Sequence, residues 1–328
     1  MSQAGDKKEK FKYGSQLSRR DFLKIFSVFG ATAVLAGWEI NRTKWMWRVG
    51  ESLGLVSLRR EIHEANKQEY AGAEVRISFG DHPHQYVMIF PPLNTVPVRN
   101  STVFFVHGGG WQTGNPEVYR FVGRFFAAIG YPTILAGYRM VPEYQFPTQL
   151  ADVSAGLRAG MNYLIDHDAP VKHIILGGHS AGAQLAALLA YDQTVMEVER
   201  RLFFGLVTMS GPLDFSLCRS GEIRDLLDDY LGNLADLEEA DPITHADPDV
   251  PISVLCLHGA QDPIVDSQNA RSFTDKLNQG LIQRAKLHIL PNRYHSDMLN
   301  LFLETSDETT ILTDWLTTMD ESVQGQIP

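Results

Sequence analysis

Three residue types at three junctions between strand and loop have the makings of acyl-transfer chemistry. Ser180 stands in Gly178-His179-Ser180-Ala181-Gly182, directly after the apolar run 173–176 and at the start of a helical stretch, 181–191. On its own, G-x-S-x-G is a weak signal. Between a strand and a helix it describes a sharp turn, where small neighbours are needed because the backbone bends tightly and the helix passes close to the strand. A serine hydroxyl is a poor nucleophile until a base takes its proton, and that base needs a carboxylate to orient it. His295, in Pro291-Asn-Arg-Tyr-His295-Ser-Asp, and Asp262, in His258-Gly-Ala-Gln-Asp262-Pro, each follow an apolar run. Asp266 and Asp297 lie close enough in sequence to compete as the acid. His107-Gly108-Gly109-Gly110-Trp111 follows a further such run. Consecutive glycines let backbone N–H groups approach a substrate oxygen without a Cβ in the way. With the N–H of Ala181, the loop would hold the negative charge of a tetrahedral intermediate.

These residues need a scaffold that brings strand ends together. Residues 74–79 and 85–90 read as a strand hairpin, followed by strands at 102–106, 133–136, 173–176, 204–209, 252–257 and 286–290. Most of these are unbroken apolar runs, as in strands buried on both faces of a parallel sheet. Helical stretches at 118–129, 150–166, 181–191, 267–279 and 309–319 alternate with them, which predicts an open, mostly parallel sheet with helices on both faces. Residues 37–70 read as one or two amphipathic helices ahead of the sheet. Residues 212–250 form a long excursion, suited to a lid over the substrate entrance. Trp111, Tyr230 and Leu231 are candidates for the substrate pocket, though packing within the excursion accounts for Tyr230 and Leu231 equally well.

The stretch Tyr138-Arg139-Met140-Val141-Pro142-Glu143, then Phe146-Pro147 and Asp152-Val153, adds a third motif. With the serine turn, the glycine loop and the order Ser…Asp…His, the chain from about residue 70 to 320 resembles the α/β-hydrolase esterases and lipases. That group includes hormone-sensitive-lipase-like carboxylesterases, feruloyl-esterase-like hydrolases and kynurenine formamidases. The resemblance implies an eight-stranded α/β-hydrolase domain at 71–328 with a small lid. It makes Ser180 the nucleophile, His295 the base and Asp262 its orienter, with Gly109, Gly110 and Ala181 as oxyanion donors. A small-molecule carboxylic ester is the implied substrate, and neither metal nor organic cofactor is expected. His179 and Gly182-Ala183 depart from the hormone-sensitive-lipase-like pattern and lean toward the feruloyl-esterase-like branch. Gly110 stands where formamidases carry an aromatic residue, which disfavours an aryl formamide as the substrate. A binding module that has lost its catalysis is a third reading, and the intact motifs argue against it.

Composition sets the remaining bounds. The chain has 328 residues, 44% hydrophobic and 21% charged, which excludes a disordered or fibrous chain, and its two cysteines cannot form a disulfide framework or a four-thiolate metal site. A net charge of −10 argues against nucleic acid as a partner. Residues 1–36, however, carry seven Lys and Arg against three acidic residues, leaving −14 on the remainder. There Ser18-Arg19-Arg20-Asp21-Phe22-Leu23-Lys24 precedes a 12-residue apolar run ending in Val34-Leu35-Ala36. The segment resembles a twin-arginine translocation (Tat) signal. That resemblance implies passage through the Tat machinery as a folded protein and work in the periplasm or outside the cell. Cleavage after Ala36 is the expectation. The rival is an uncleaved anchor on the outer face of the cytoplasmic membrane, with Trp38, Trp45 and Trp47 at the interface. Oligomeric state is left open.

Overall fold

The computed structural model describes residues 42–324, apart from 198, 233–236 and 305. The leader 1–36 and Trp38 lie outside the described residues. Contacts divide the chain after Lys44, and the site lies in the second unit, from Trp45 onward. In chain order the strands are β1 (Val75–Ser78), β2 (Tyr86–Phe90), β3 (Thr102–Val106), β4 (Thr133–Ala136), β5 (Ile174–His179), β6 (Phe203–Met209), β7 (Ser253–Gly259) and β8 (Ala285–Leu290). The helices are α1 (Arg42–Lys67), α2 (Arg120–Ala128), α3 (Thr148–Asp166), α4 (Ala181–Tyr191), α5 (Glu222–Leu231), α6 (Leu237–Ala240), α7 (Pro242–His245), α8 (Gln268–Leu277) and α9 (Asp307–Gln324).

One sheet runs in the order β1-β2-β4-β3-β5-β6-β7-β8. Strand β2 is antiparallel to both β1 and β4, and every pairing from β4 to β8 is parallel. All five residues of β2 and of β3 are buried, because helices cover both faces of the sheet. Side chains alternate between two cores. Val87, Ile89, Phe104, Val106, Ile174 and Leu176 pack with α3, α4 and α8. Met88, Phe90, Val103, Phe105, Ile175 and Val207 pack with α1, α2 and α9. Helix α4 is buried along all eleven residues, which is why it reads as apolar on every side.

Strands β5 and β7 run further than the apolar runs announce. Gly177, Gly178 and His179 pair with Val207, Thr208 and Met209, and His258 and Gly259 pair with Ile289 and Leu290. Glycine and histidine carry no strand signal in sequence, yet central ladder positions recruit them. Where the sequence allows one helix or two ahead of the sheet, the described residues form a single one, α1 (Arg42–Lys67). The excursion holds a short 3₁₀ turn at Phe215–Leu217 and then α5, α6 and α7. Among the described residues, no helix is long and apolar enough to cross a membrane.

Because β3 and β5 are neighbours and their crossovers leave in opposite directions, the topological switch point of the sheet lies between their carboxyl ends, where open α/β sheets bind their ligands. The glycine loop follows β3 and Ser180 follows β5. Asp262 follows β7 and His295 follows β8, so all four segments reach the same edge of the sheet.

Candidate active site

Ser180 sits between β5 and α4 at φ 54°, a left-handed conformation that costs a non-glycine residue energy. Its N–H donates to the Met209 carbonyl at 2.8 Å, which pins the turn to β6. The flanking glycines are there for space: a Cβ at Gly178 would run into the Gly182 carbonyl, and one at Gly182 would strike the Val106 and His107 carbonyls. The turn lifts Ser180 to the edge of the sheet, and Ala181 opens α4, where first-turn N–H groups have no helical partner. Beside the turn the glycine loop follows positive-φ backbone, φ 125° at Gly109 and 60° at Gly110. The Gln112 and Thr113 N–H groups close it on the Gly109 carbonyl.

His295 Nδ1 lies 2.7 Å from Asp262 Oδ2. The other carboxylate oxygen, Oδ1, accepts the Ile264 and Val265 N–H groups, each at 2.9 Å. The competing carboxylates are committed to turns: Asp266 accepts from the Gln268 N–H and Asp297 from the Tyr294 N–H. Burial alone would push Asp262 up, but the His295 charge and the bonds from His258 and His295 carry its carboxyl far below the usual range. For His295, burial works against protonation. The Asp262 charge and hydrogen bond, with Glu51 and Glu222 behind them, outweigh it and raise the imidazole above its ordinary value. With Nδ1 committed to the acid, Nε2 is the nitrogen left to exchange protons with a substrate-bound serine.

Several residues around this pair carry no motif. His258, fully buried on β7, places Nε2 3.2 Å from Asp262 Oδ2 and 3.0 Å from the Val265 carbonyl. His179 bridges the two halves of the site. Tyr119 accepts the Gly108 N–H at 3.1 Å, so its hydroxyl proton turns to His179 Nδ1 at 3.1 Å. His179 Nε2–H then donates to the His295 carbonyl at 3.2 Å. Burial, followed by the nearby His295 charge, lowers this imidazole to about 3 and keeps it neutral. Glu51, on α1, is 4% exposed and accepts hydrogen bonds from Ser296. The sequence flags His179 only as a departure from a family pattern, and it carries no cue for Glu51 or Tyr119, whose partners lie 245 and 60 positions away.

The 212–250 excursion is tied to the glycine loop. Gln184 of α4, fully buried, accepts the Trp111 Nε1–H at 3.1 Å and the Tyr230 hydroxyl at 3.4 Å, and donates to the Ala240 carbonyl at 2.7 Å. Trp111 and Tyr230 stack at 4.2 Å between ring centroids, and both are inaccessible to solvent, as Leu231 almost is. All three candidate pocket residues are thus buried, Tyr230 and Leu231 on α5 and Trp111 in the glycine loop. Leu226 of α5 lies over Gly110, where a Cβ would meet it at 2.8 Å, and Gln112 bonds Asp229 at 2.8 Å. Cys218 and Cys256 are both buried free thiols, and burial raises the Cys218 thiol to about 12.

In sequence, the chain is 26% identical over 244 residues to "Probable carboxylic ester hydrolase LipM" of Mycobacterium tuberculosis, covering 67% of this chain and 55% of that protein. It is 23% identical over 244 residues to the isoprenylcysteine alpha-carbonyl methylesterase ICME of Arabidopsis thaliana, covering 68% and 56%. The chain thus spans about half the length of these curated relatives. In structure, esterase B from Lactobacillus rhamnosis superposes with a TM-score of 0.68 at 18% identity, over 88% of this chain and 98% of that one. The fold is therefore that of the α/β-hydrolases. The profile of the BD-FAE family matches residues 89–277, more than half of the sequence, and the chain belongs to that family.

Proposed function

We propose that the protein is a serine carboxylesterase acting on short-to-medium acyl or aryl esters, exported by its twin-arginine leader. The observation that carries this is the 2.7 Å bond between His295 and Asp262, on the sheet edge where Ser180 stands strained at its turn. Ser180 Oγ attacks the ester carbonyl while His295 Nε2 takes its proton. The N–H groups of Gly109, Gly110 and Ala181 stabilise the oxyanion, each donor being worth roughly 10²–10³ in rate. His295 then protonates the departing alcohol, and water activated by the same imidazole releases the acid from the acyl-enzyme. Ester-hydrolase relatives support this reaction class. The closely packed lid, with Leu226 over Gly110, supports a small acyl group. Export rests on the leader motif alone.

The test is hydrolysis of p-nitrophenyl esters from C2 to C16 by residues 37–328, beside Ser180→Ala. Activity should peak at C2–C6, and the variant should fold normally while losing roughly 10⁴-fold or more in kcat. A variant that kept most of the turnover would overturn the assignment.

A further inference from the structure

Glu51 lies outside the residues that the family profile matches, on a helix that precedes the sheet. Its carboxylate nonetheless ends at the loop of the base. Ser296, the residue after His295, donates its backbone N–H to Oε1 at 3.1 Å and to Oε2 at 3.3 Å, and its hydroxyl donates to Oε1 as well. A carboxylate only 4% exposed requires such compensation, because burying a charge is otherwise costly. The position is built, not incidental. Leu58 and Ile62, 7 and 11 residues further along α1, lie on the same helical stripe as Glu51 and are buried against the sheet. Asn66 then bonds the Val118 carbonyl at 3.0 Å, and Arg124 holds the Ala65 and Gln68 carbonyls at 3.1 Å. A docked helix thus carries a buried anion to the imidazole loop.

We propose that Glu51 is a positioning residue for His295: through Ser296 it fixes the 295–296 backbone and places a second buried carboxylate at the loop of the base. The inference rests on the reading of Ser180 and His295 given above. Other charged or titratable groups also face this imidazole. Asp262 approaches from the β7 side with His258 bonded to it, His179 from the serine turn, Glu222 from α5, and Tyr294 and Asp297 lie on the same loop. Unlike these, Glu51 is delivered by α1, the helix ahead of the sheet. It raises His295 alongside Asp262, and burial in turn holds its own carboxyl above the usual value.

The test uses the full chain as wild type, Glu51→Gln and Ser180→Ala, with melting temperature recorded for each. The His295 imidazole is titrated by proton NMR, which does not depend on turnover. The pH profile of p-nitrophenyl butyrate hydrolysis is then measured. Glu51→Gln should lower the His295 pKa and the acid limb of kcat/KM by about half a pH unit, because a neutral amide no longer stabilises the cation. It should also reduce kcat about tenfold with KM little changed, as misorientation of a reacting group does. An imidazole that titrates as in wild type would overturn the proposal. Should Glu51→Gln fail to fold, Ser296→Ala carries the test. Loss of the hydroxyl donor makes Glu51 easier to protonate, so His295 should shift in the same direction by a smaller amount, and no shift there counts equally against the idea. Wild type without Ser180-dependent turnover, but with the NMR shift intact, would instead sink the esterase reading and leave the Glu51–His295 coupling standing.

Discussion

His295 draws its proton affinity from groups that burial would otherwise defeat. Alone in a dry crevice, an imidazole loses its charge and titrates low. Here Asp262, 2.7 Å away, outweighs that effect, and the Ile264 and Val265 N–H groups keep the carboxylate oriented. The consequence for pH has a definite sign. General-base catalysis requires neutral His295, so kcat/KM should fall as pH drops through its pKa, with a midpoint above the ordinary histidine value of about 6.5. Asp262→Asn should move that midpoint down and lower kcat by roughly 10⁴-fold, the size of effect found when the orienting acid of a serine protease is removed. A wild-type midpoint at or below the ordinary value would refute the electrostatic account. His258 shares the same Asp262 oxygen at 3.2 Å, which explains why a second buried histidine sits four residues before the acid.

Helix α4 does more than carry the serine turn. Its Gln184 joins the glycine loop through Trp111, the lid helix α5 through Tyr230, and α6 through Ala240. One fully buried amide therefore holds three segments in register with the serine turn. Gln184→Leu keeps much of the volume and removes every bond, leaving an indole N–H, a phenol and a carbonyl without partners. Each unsatisfied group costs about 1–3 kcal/mol, so unfolding in urea should show a loss of roughly 2–4 kcal/mol after relaxation. A variant within about 0.5 kcal/mol of wild type would mean that stacking of Trp111 on Tyr230 alone secures the lid.

Across the whole molecule, the sheet sends every chemical segment to one edge while the helices seal both faces. Helix α1 belongs to that seal although it comes before the first strand: Leu58 is 4% and Ile62 8% exposed, and both pack with α2 and α9. A chain starting at residue 71 would uncover the apolar surface beneath them. Burying two such side chains is worth about 1.5–3 kcal/mol each, so that chain should be less stable than residues 42–328 by roughly 3–6 kcal/mol in chemical denaturation. Equal stability would show that α1 is dispensable to the core.

The amino-acid sequence by itself determined the positions of the strands along the chain and a mostly parallel sheet covered by helices. Unbroken runs such as TVFFV in β3 are what two-sided burial demands, and the wide apolar surface of α4 follows from the same cause. It also marked Ser180 and the glycine loop, because sharp turns and close backbone approach can be met only by small residues, and that need is written locally. The motif order singled out Asp262 over its neighbours Asp266 and Asp297, and tertiary structure supplied the contact itself, because the path of the chain after β7 and β8 sets Asp262 at hydrogen-bond distance and leaves the other two in local turns. Only the tertiary structure decided that Trp111 and Tyr230 stack out of reach of solvent, and that Glu51 meets Ser296 across 245 positions. Such pairings leave no periodicity or motif, since they depend on where separate elements dock rather than on what any one segment prefers.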